Sequence, residues 1–257
     1  AATSTSPVTL SGSGNMTINV GGQVVGNVGH GSTGTTNNNG TITGTLSVSS
    51  GTVNNAGVVT GTTTVTGGTL NLDAGTNLSD ANTLTVNGGT VNVNASDTVG
   101  ALAGTGSTVD IDAGQALTIG GATSTSYGGV ISGAGGLTQA GTGTLTLTAV
   151  NTITGPVNVN SGTIALSGAG ALATTAITTL AGGTLATDGG ALNTNAVISN
   201  GGILALTGGT ETVNSVSGAG AIQLNTGSLT LDSGASAISG IISGTGSLTV
   251  TGTSVTT

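Results

Sequence analysis

Asp110 and Asp112 are the side chains best spaced for chemistry in this chain. In Val109-Asp110-Ile111-Asp112 an extended backbone sets both carboxylates on one face about 7 Å apart, inside the range used by acid pairs that cleave glycosidic bonds. Such a pair needs one acid held protonated by an apolar setting. With Val109 and Ile111 turned to a core, both acids point into water instead, and that is the expectation. His30, in Gly29-His30-Gly31, is the single imidazole. A triad would need an activated serine and an acid beside it, and the Asn37-Asn38-Asn39-Gly40 run that follows points to a loop histidine. Tyr127 is the single aromatic residue and is expected to cover a coil edge, because a lone ring makes no platform for a sugar. The glycine-and-aspartate nonapeptides of a calcium-binding β-roll do not occur. Asn15, Asn39, Asn77 and Asn94 each open an Asn-x-Ser/Thr triplet, at a frequency that the abundance of Asn, Ser and Thr explains by chance. No residue is assigned a catalytic, cofactor-binding or metal-ligating role.

The wider composition supports that assignment. The 257 residues contain no Lys, Arg or Cys, and eight Asp and Glu give a formal charge of -8. Without cations the chain cannot neutralise phosphates, so nucleic acid is excluded as a partner. Without cysteine there is no disulfide, thiolate metal site or thiol nucleophile. Gly, Thr, Ser or Asn interrupts every apolar stretch, so no segment is long enough to insert in a membrane as a helix. Phe and Trp are missing, and the interior is therefore expected to be thin and filled with Val, Leu, Ile and Ala. The opening Ala1-Ala2-Thr3-Ser4 reads as a chain after signal-peptide cleavage, which implies export.

One phrase recurs along the chain: glycine, Thr or Ser, then alternating apolar and small polar residues. It reads GTLNLD at 68–73, GTVNVN at 89–94, GTLTLT at 143–148, GTIALS at 162–167 and GSLTLD at 227–232. Glycines 68 and 89 stand 21 apart, 143 and 162 stand 19 apart, and 162 and 183 again 21 apart. A period of this length marks a solenoid. Alternation within each copy is the period of a half-buried strand, while the 51 glycines would each destabilise a helix interior by about 1 kcal/mol. The expected fold is all-β, a right-handed parallel β-solenoid of about a dozen coils standing about 60 Å tall at the interstrand spacing.

From Asp97 onward the chain resembles the autotransporter-associated β-strand repeats of bacterial surface-protein passengers. The residues that carry the likeness are VGALAGTGSTVDIDAGQALTIGG at 99–121 and YGGVISGAGGLTQAGTGTLTLTAVNTITGPVNVNSGTIAL at 127–166. They give a Gly-Val-Ile-Ser-Gly start, a Gly-Gly-Leu-Thr step, a Gly-Thr-Leu-Thr-Leu strand, an Asn-Thr-x-Thr-Gly turn and a closing Ser-Gly-Thr strand. A partial second copy covers 213–224 and 239–253. Thr257 falls inside that unit, so the protein is expected to continue beyond it. The family often carries Lys where Gln139 stands and Tyr where Ile153 stands, and both changes are expected to remove surface features that a partner could grip.

These readings divide the chain into residues 1–96, solenoid repeats without the hallmark, and 97–257, repeats of the autotransporter type continuous with the first part. The resemblance implies display outside a bacterial cell. The expected role is structural: a surface rod, or a fibre of the matrix or biofilm kind in which chains associate end to end. The alternatives are a monomeric adhesin stalk and, third, a polysaccharide-degrading β-helix enzyme, which lacks here the Arg or Lys that lyases of that architecture use.

Overall fold

A computed structural model describes residues 3–75, 77–232, 234–251 and 255–256. Ala1, Ala2, Thr257 and the side chain of Asn77 lie outside the described residues. The chain winds as an all-β solenoid of about 12 turns, with no helix among the described residues and every strand pairing parallel. Each coil adds one short strand to each of several long sheets, so that sequence neighbours lie on different faces and residues 17 to 22 apart lie side by side.

Two sheets carry most of the length. In the first, Thr35–Asn38, Thr52–Asn55, Thr63–Leu72, Thr83–Val93, Thr108–Ile111 and Val130–Gly133 stack in order. In the second, Asp97–Val99, Ala116–Ile119, Gly136–Gln139, Val157–Val159, Ala176–Thr179, Val197–Asn200 and Ser215–Gly218 do the same. The strands Thr144–Leu147, Gly162–Ser167, Gly183–Asp188, Ile203–Leu206 and Ala221–Leu224 build a third face beside the second. Pairing runs through the 96/97 position without a break: Val91 pairs with Val109, and Val109 with Ile131.

Alternation decides what is inside. Val53, Leu70, Val91, Val109 and Ile131 form one column of partners and are fully buried. Leu145, Ile164, Leu185, Leu204 and Ile222 form another, likewise buried. Each interior side chain thus rests on a similar one above and below, which packs a thin core without large residues. The corner between two faces is turned by stacked glycines: Gly51, Gly68 and Gly89 have φ of 59°, 68° and 71°. A Cβ on Gly68 would stand 2.5 Å from the Gly51 carbonyl oxygen of the coil below. Only glycine meets both demands.

The interior is not purely apolar. His30, Thr36, Asn38, Asn55, Gln139, Asn151, Thr179 and Asn200 are all buried. Several of them take backbone groups at the turns: the Asn151 carbonyl accepts the Ile131 N–H at 2.9 Å, and its amide donates to the Ala149 and Ala171 carbonyls at 2.9 and 3.0 Å. Gln139 donates to the carbonyls of Gly141 and Gly143. The structure overturns the view of Gln139 and Ile153 as surface positions, since they are 1% and 0% exposed. Gln139 shares the inward parity of Leu137, and its amide is held by the corner backbone.

Candidate functional site

Asp110 lies half-buried on the outer face of its strand and Asp112 is exposed just beyond the strand end, while Val109 and Ile111 are fully buried. The solvated reading of the pair is the one observed. Asp110 accepts a hydrogen bond from the Ser132 hydroxyl, its partner in the next coil. That contact ties the acid into a column of side chains.

His30 is not in a loop. It closes the strand Val28–His30 and faces inward, 1% exposed, and Asn37 and Asn38 belong to a strand too. The expectation of a loop failed because parity along Val28-Gly29-His30 turns the ring to the side of Val28. Nδ1 lies 3.0 Å from the Thr36 hydroxyl, and Nε2 has no partner. Burial pushes the imidazole below its ordinary pKa, partly offset by a contact with the Gly34 backbone. Tyr127 does not cover a coil edge: it is fully buried, with its hydroxyl donating to the Ser107 carbonyl at 3.2 Å. Its ring and hydroxyl fill the space where a Cβ on Gly129 would stand, and desolvation holds the phenol well above its ordinary pKa.

Two acids missed in the sequence reading are buried. Asp97 is 9% exposed, with Oδ2 accepting the Leu78 N–H at 3.1 Å and Oδ1 its neighbour Thr98 N–H at 2.9 Å. Glu211 is 4% exposed and accepts the Leu192 N–H at 2.9 Å. Desolvation raises both above ordinary carboxylate values, against the lowering effect of those N–H donors and, for Glu211, of the Thr187 hydroxyl; the charge of Asp80 adds to the rise at Asp97. Parity was the available signal, since each shares the face of an inward valine, Val99 or Val213. Both act as caps for a backbone group of the preceding coil.

Among the described residues no three His, Asp or Glu side chains gather closely enough to hold a metal ion. Asn15, Asn39 and Asn94 are exposed, and Asn94 donates to Asp73 at 2.9 Å. A cavity of about 460 Å³ opens among the first coils, lined by Val8, Met16, Ile18, Val20 and Val24.

A hydrogen-bonded column runs over four rungs of the outer face of the first sheet. Asn54 donates to Asn37 at 2.8 Å, Asn71 to Asn54 at 2.7 Å and Asn92 to Asn71 at 2.8 Å. Beside it Thr35, Thr52, Thr69, Thr90 and Thr108 stand in register. The coils thus stack as a solenoid with ladders of like side chains on its surface. Within it, residues 137–166 match the passenger-associated-transport-repeat family. The chain therefore carries an autotransporter passenger repeat, as the sequence resemblance implied. The match begins at Leu137 and reaches Leu166, the partner of Leu147, so it spans about one and a half coils. No curated protein and no solved structure matches the chain.

Proposed function

We propose that this chain is part of an autotransporter passenger, a right-handed β-solenoid exported to the bacterial surface, where it serves as a structural rod. The observation that carries the reading is the passenger repeat at 137–166, whose strands pair parallel with neighbouring coils of the solenoid. The right-handed sense is supported by the strong preference of parallel crossovers for that hand. The stretches 1–96 and 97–257 are two parts of the same rod. A structural rather than enzymatic role is what the repeat suggests, and the Asp110 and His30 environments agree with it.

End-to-end association of chains into a fibre is the second element of the proposal. Val20 is 87% exposed near one end, and Ile241, Ile242 and Val250 are 76%, 37% and 42% exposed near the other. A strand edge bordered by such apolar residues would favour stacking by a further rung. The competing reading is a monomeric adhesin stalk. Negative-stain imaging and light scattering of the purified chain separate them: filaments whose length grows with concentration support stacking, and single rods at every concentration, pH and salt overturn it in favour of the stalk. Protease shaving of intact producing cells tests display, since release of passenger peptides is expected and complete protection overturns it.

A further inference from the structure

The Thr and Asn columns on the outer face of the first sheet repeat in two dimensions. Thr35, Thr52, Thr69, Thr90 and Thr108 are successive partners, and Asn37, Asn54, Asn71, Asn92 and Asp110 are the residues two positions on in the same strands. The coils between them differ in length, with successive threonines 17, 17, 21 and 18 residues apart. The register nevertheless holds through all four steps, the extra residues being taken up in other parts of the coil. Every one of these ten side chains is partly exposed, and the residues between them, from Thr36 and Val53 to Val109, are buried.

Each grid point sits about 4.8 Å from the next along the solenoid and about 6.6 Å across the strand. In a tetrahedral water network with O···O of about 2.75 Å, second neighbours lie about 4.5 Å apart and the stacking repeat is about 7.3 Å. The two meshes agree to within about a tenth in both directions. Chemistry agrees with geometry. Each threonine offers a hydroxyl beside a methyl. Each central asparagine spends one N–H and one carbonyl lone pair on its neighbours, which holds the amide fixed and leaves a second donor and a second lone pair for the outside. A pre-ordered array loses little side-chain entropy on meeting a lattice. Charge points the same way: the eight Thr and Asn side chains of the four rungs from Thr35 to Asn92 are neutral, with Asp73 just past Leu72 and Asp110 on the fifth rung as the carboxylates that border them. A neutral hydrogen-bonding lattice complements such an array, whereas a polyanion has no cation here to engage.

The geometry points to this Thr/Asn face as a binding site for ordered water, that is, for the surface of ice. The inference is independent of surface display, because the isolated chain contains the whole array.

The test grows single ice crystals in a solution of the purified chain and measures the fraction of protein incorporated into slowly advancing ice. Faceted crystals and incorporation well above that of an inert protein of similar size are expected. Thr69→Tyr, which adds bulk at the centre of the grid, and Thr52→Lys, which adds a hydrated charge, should each reduce incorporation to the inert level while circular dichroism and melting temperature stay those of the parent. Thr184→Tyr, on the outer face of another sheet, should leave incorporation unchanged. Unfaceted ice with the parent chain overturns the proposal, as does equal loss in Thr69→Tyr and Thr184→Tyr. A parent dimer that Thr69→Tyr dissociates, without ice incorporation by either, also overturns it and makes the face a contact between two copies. Should Thr69→Tyr fail to fold, Thr52→Lys alone decides.

Discussion

The stretch from Thr35 to Ile111 and the stretch from Leu137 to Leu206 are built by the same winding, yet they divide their regularity differently. The second holds the passenger repeat, but its outer columns drift: Thr144, Thr163 and Thr184 give way to Ile203 and Ala221, and Thr146 gives way to Ala165, Ala186, Ala205 and Gln223. The first stretch has no family match, and its outer columns are Thr throughout and Asn up to Asp110. Inside, both contribute columns of Val, Leu and Ile to one core. The comparison teaches that the core pattern alone specifies the winding, and that what the outer face displays is set separately, sheet by sheet.

If the cores are equivalent, equivalent damage should follow from the same insult to each. Leu72→Asp and Leu147→Asp put a charge at positions that are fully buried, and each should cost at least about 4 kcal/mol, since nothing cationic is available to pair with it. Thr146→Asp, on the outer face, should cost less than about 0.5 kcal/mol. Thermal melts of the three variants check this. Unequal losses at Leu72 and Leu147 would break the equivalence of the two interiors.

Tyr127 sits where the stretches meet, bridging to Gly104 and leading into the third face. Tyr127→Ala should cost about 3 to 5 kcal/mol through the cavity it leaves. Because repeat arrays lose cooperativity when one interface weakens, the variant should melt in two steps. A single sharp transition would show that the junction is held by the backbone ladder alone.

Much of this was legible in the sequence. Alternation placed Leu145, Leu147, Val109 and Ile111 inside and Asp110 outside, and the spacing of the Gly-Thr phrases gave the coil length. The errors share one cause. His30 and Gln139 were placed outside and Asp97 and Glu211 were passed over, but each sits at a position whose parity faces inward. In a parallel solenoid the corners leave backbone N–H and C=O groups unpaired, and a polar side chain of inward parity is drawn in to satisfy them. Tyr127 was expected at a coil edge, yet the thin core has room for its ring. The side-chain-free Gly129 provides that room.

The buried titratable groups make different coils respond oppositely to acid. His30, just before the first stretch, has a lowered pKa, so its contribution to stability is present above its ordinary value and is lost as pH falls through the folded one. Asp97, inside the first stretch, and Glu211, just beyond the second, have raised values. Their contribution is complete below the ordinary carboxylate range and is lost as pH rises through the folded values. Between pH 7 and pH 4 the coils around His30 should therefore loosen while those around Glu211 tighten. Amide hydrogen exchange, corrected for its intrinsic pH dependence, reads both at once. His30→Gln should remove the first response and Glu211→Gln the second; a uniform change along the chain would show that the rod opens as one unit.

The smallest expected effect tests the outer faces directly. Asn71→Ala removes two bonds of the amide column, to Asn54 and from Asn92. Partly exposed bonds of this kind are worth about 1 kcal/mol together at most, so the melting temperature should drop by a few degrees or less. The second stretch supplies the reverse experiment, because its corresponding column is already alanine at 165, 186 and 205. Ala186→Asn places an amide between two neighbours that cannot answer it, and should add no stability. If Ala186→Asn stabilised as much as Asn71→Ala destabilised, the gain would belong to the single amide and the column would have no collective value. If only the loss appears, the asparagines support one another from rung to rung, and an outer face made of one residue type is worth keeping uniform even though the winding does not require it.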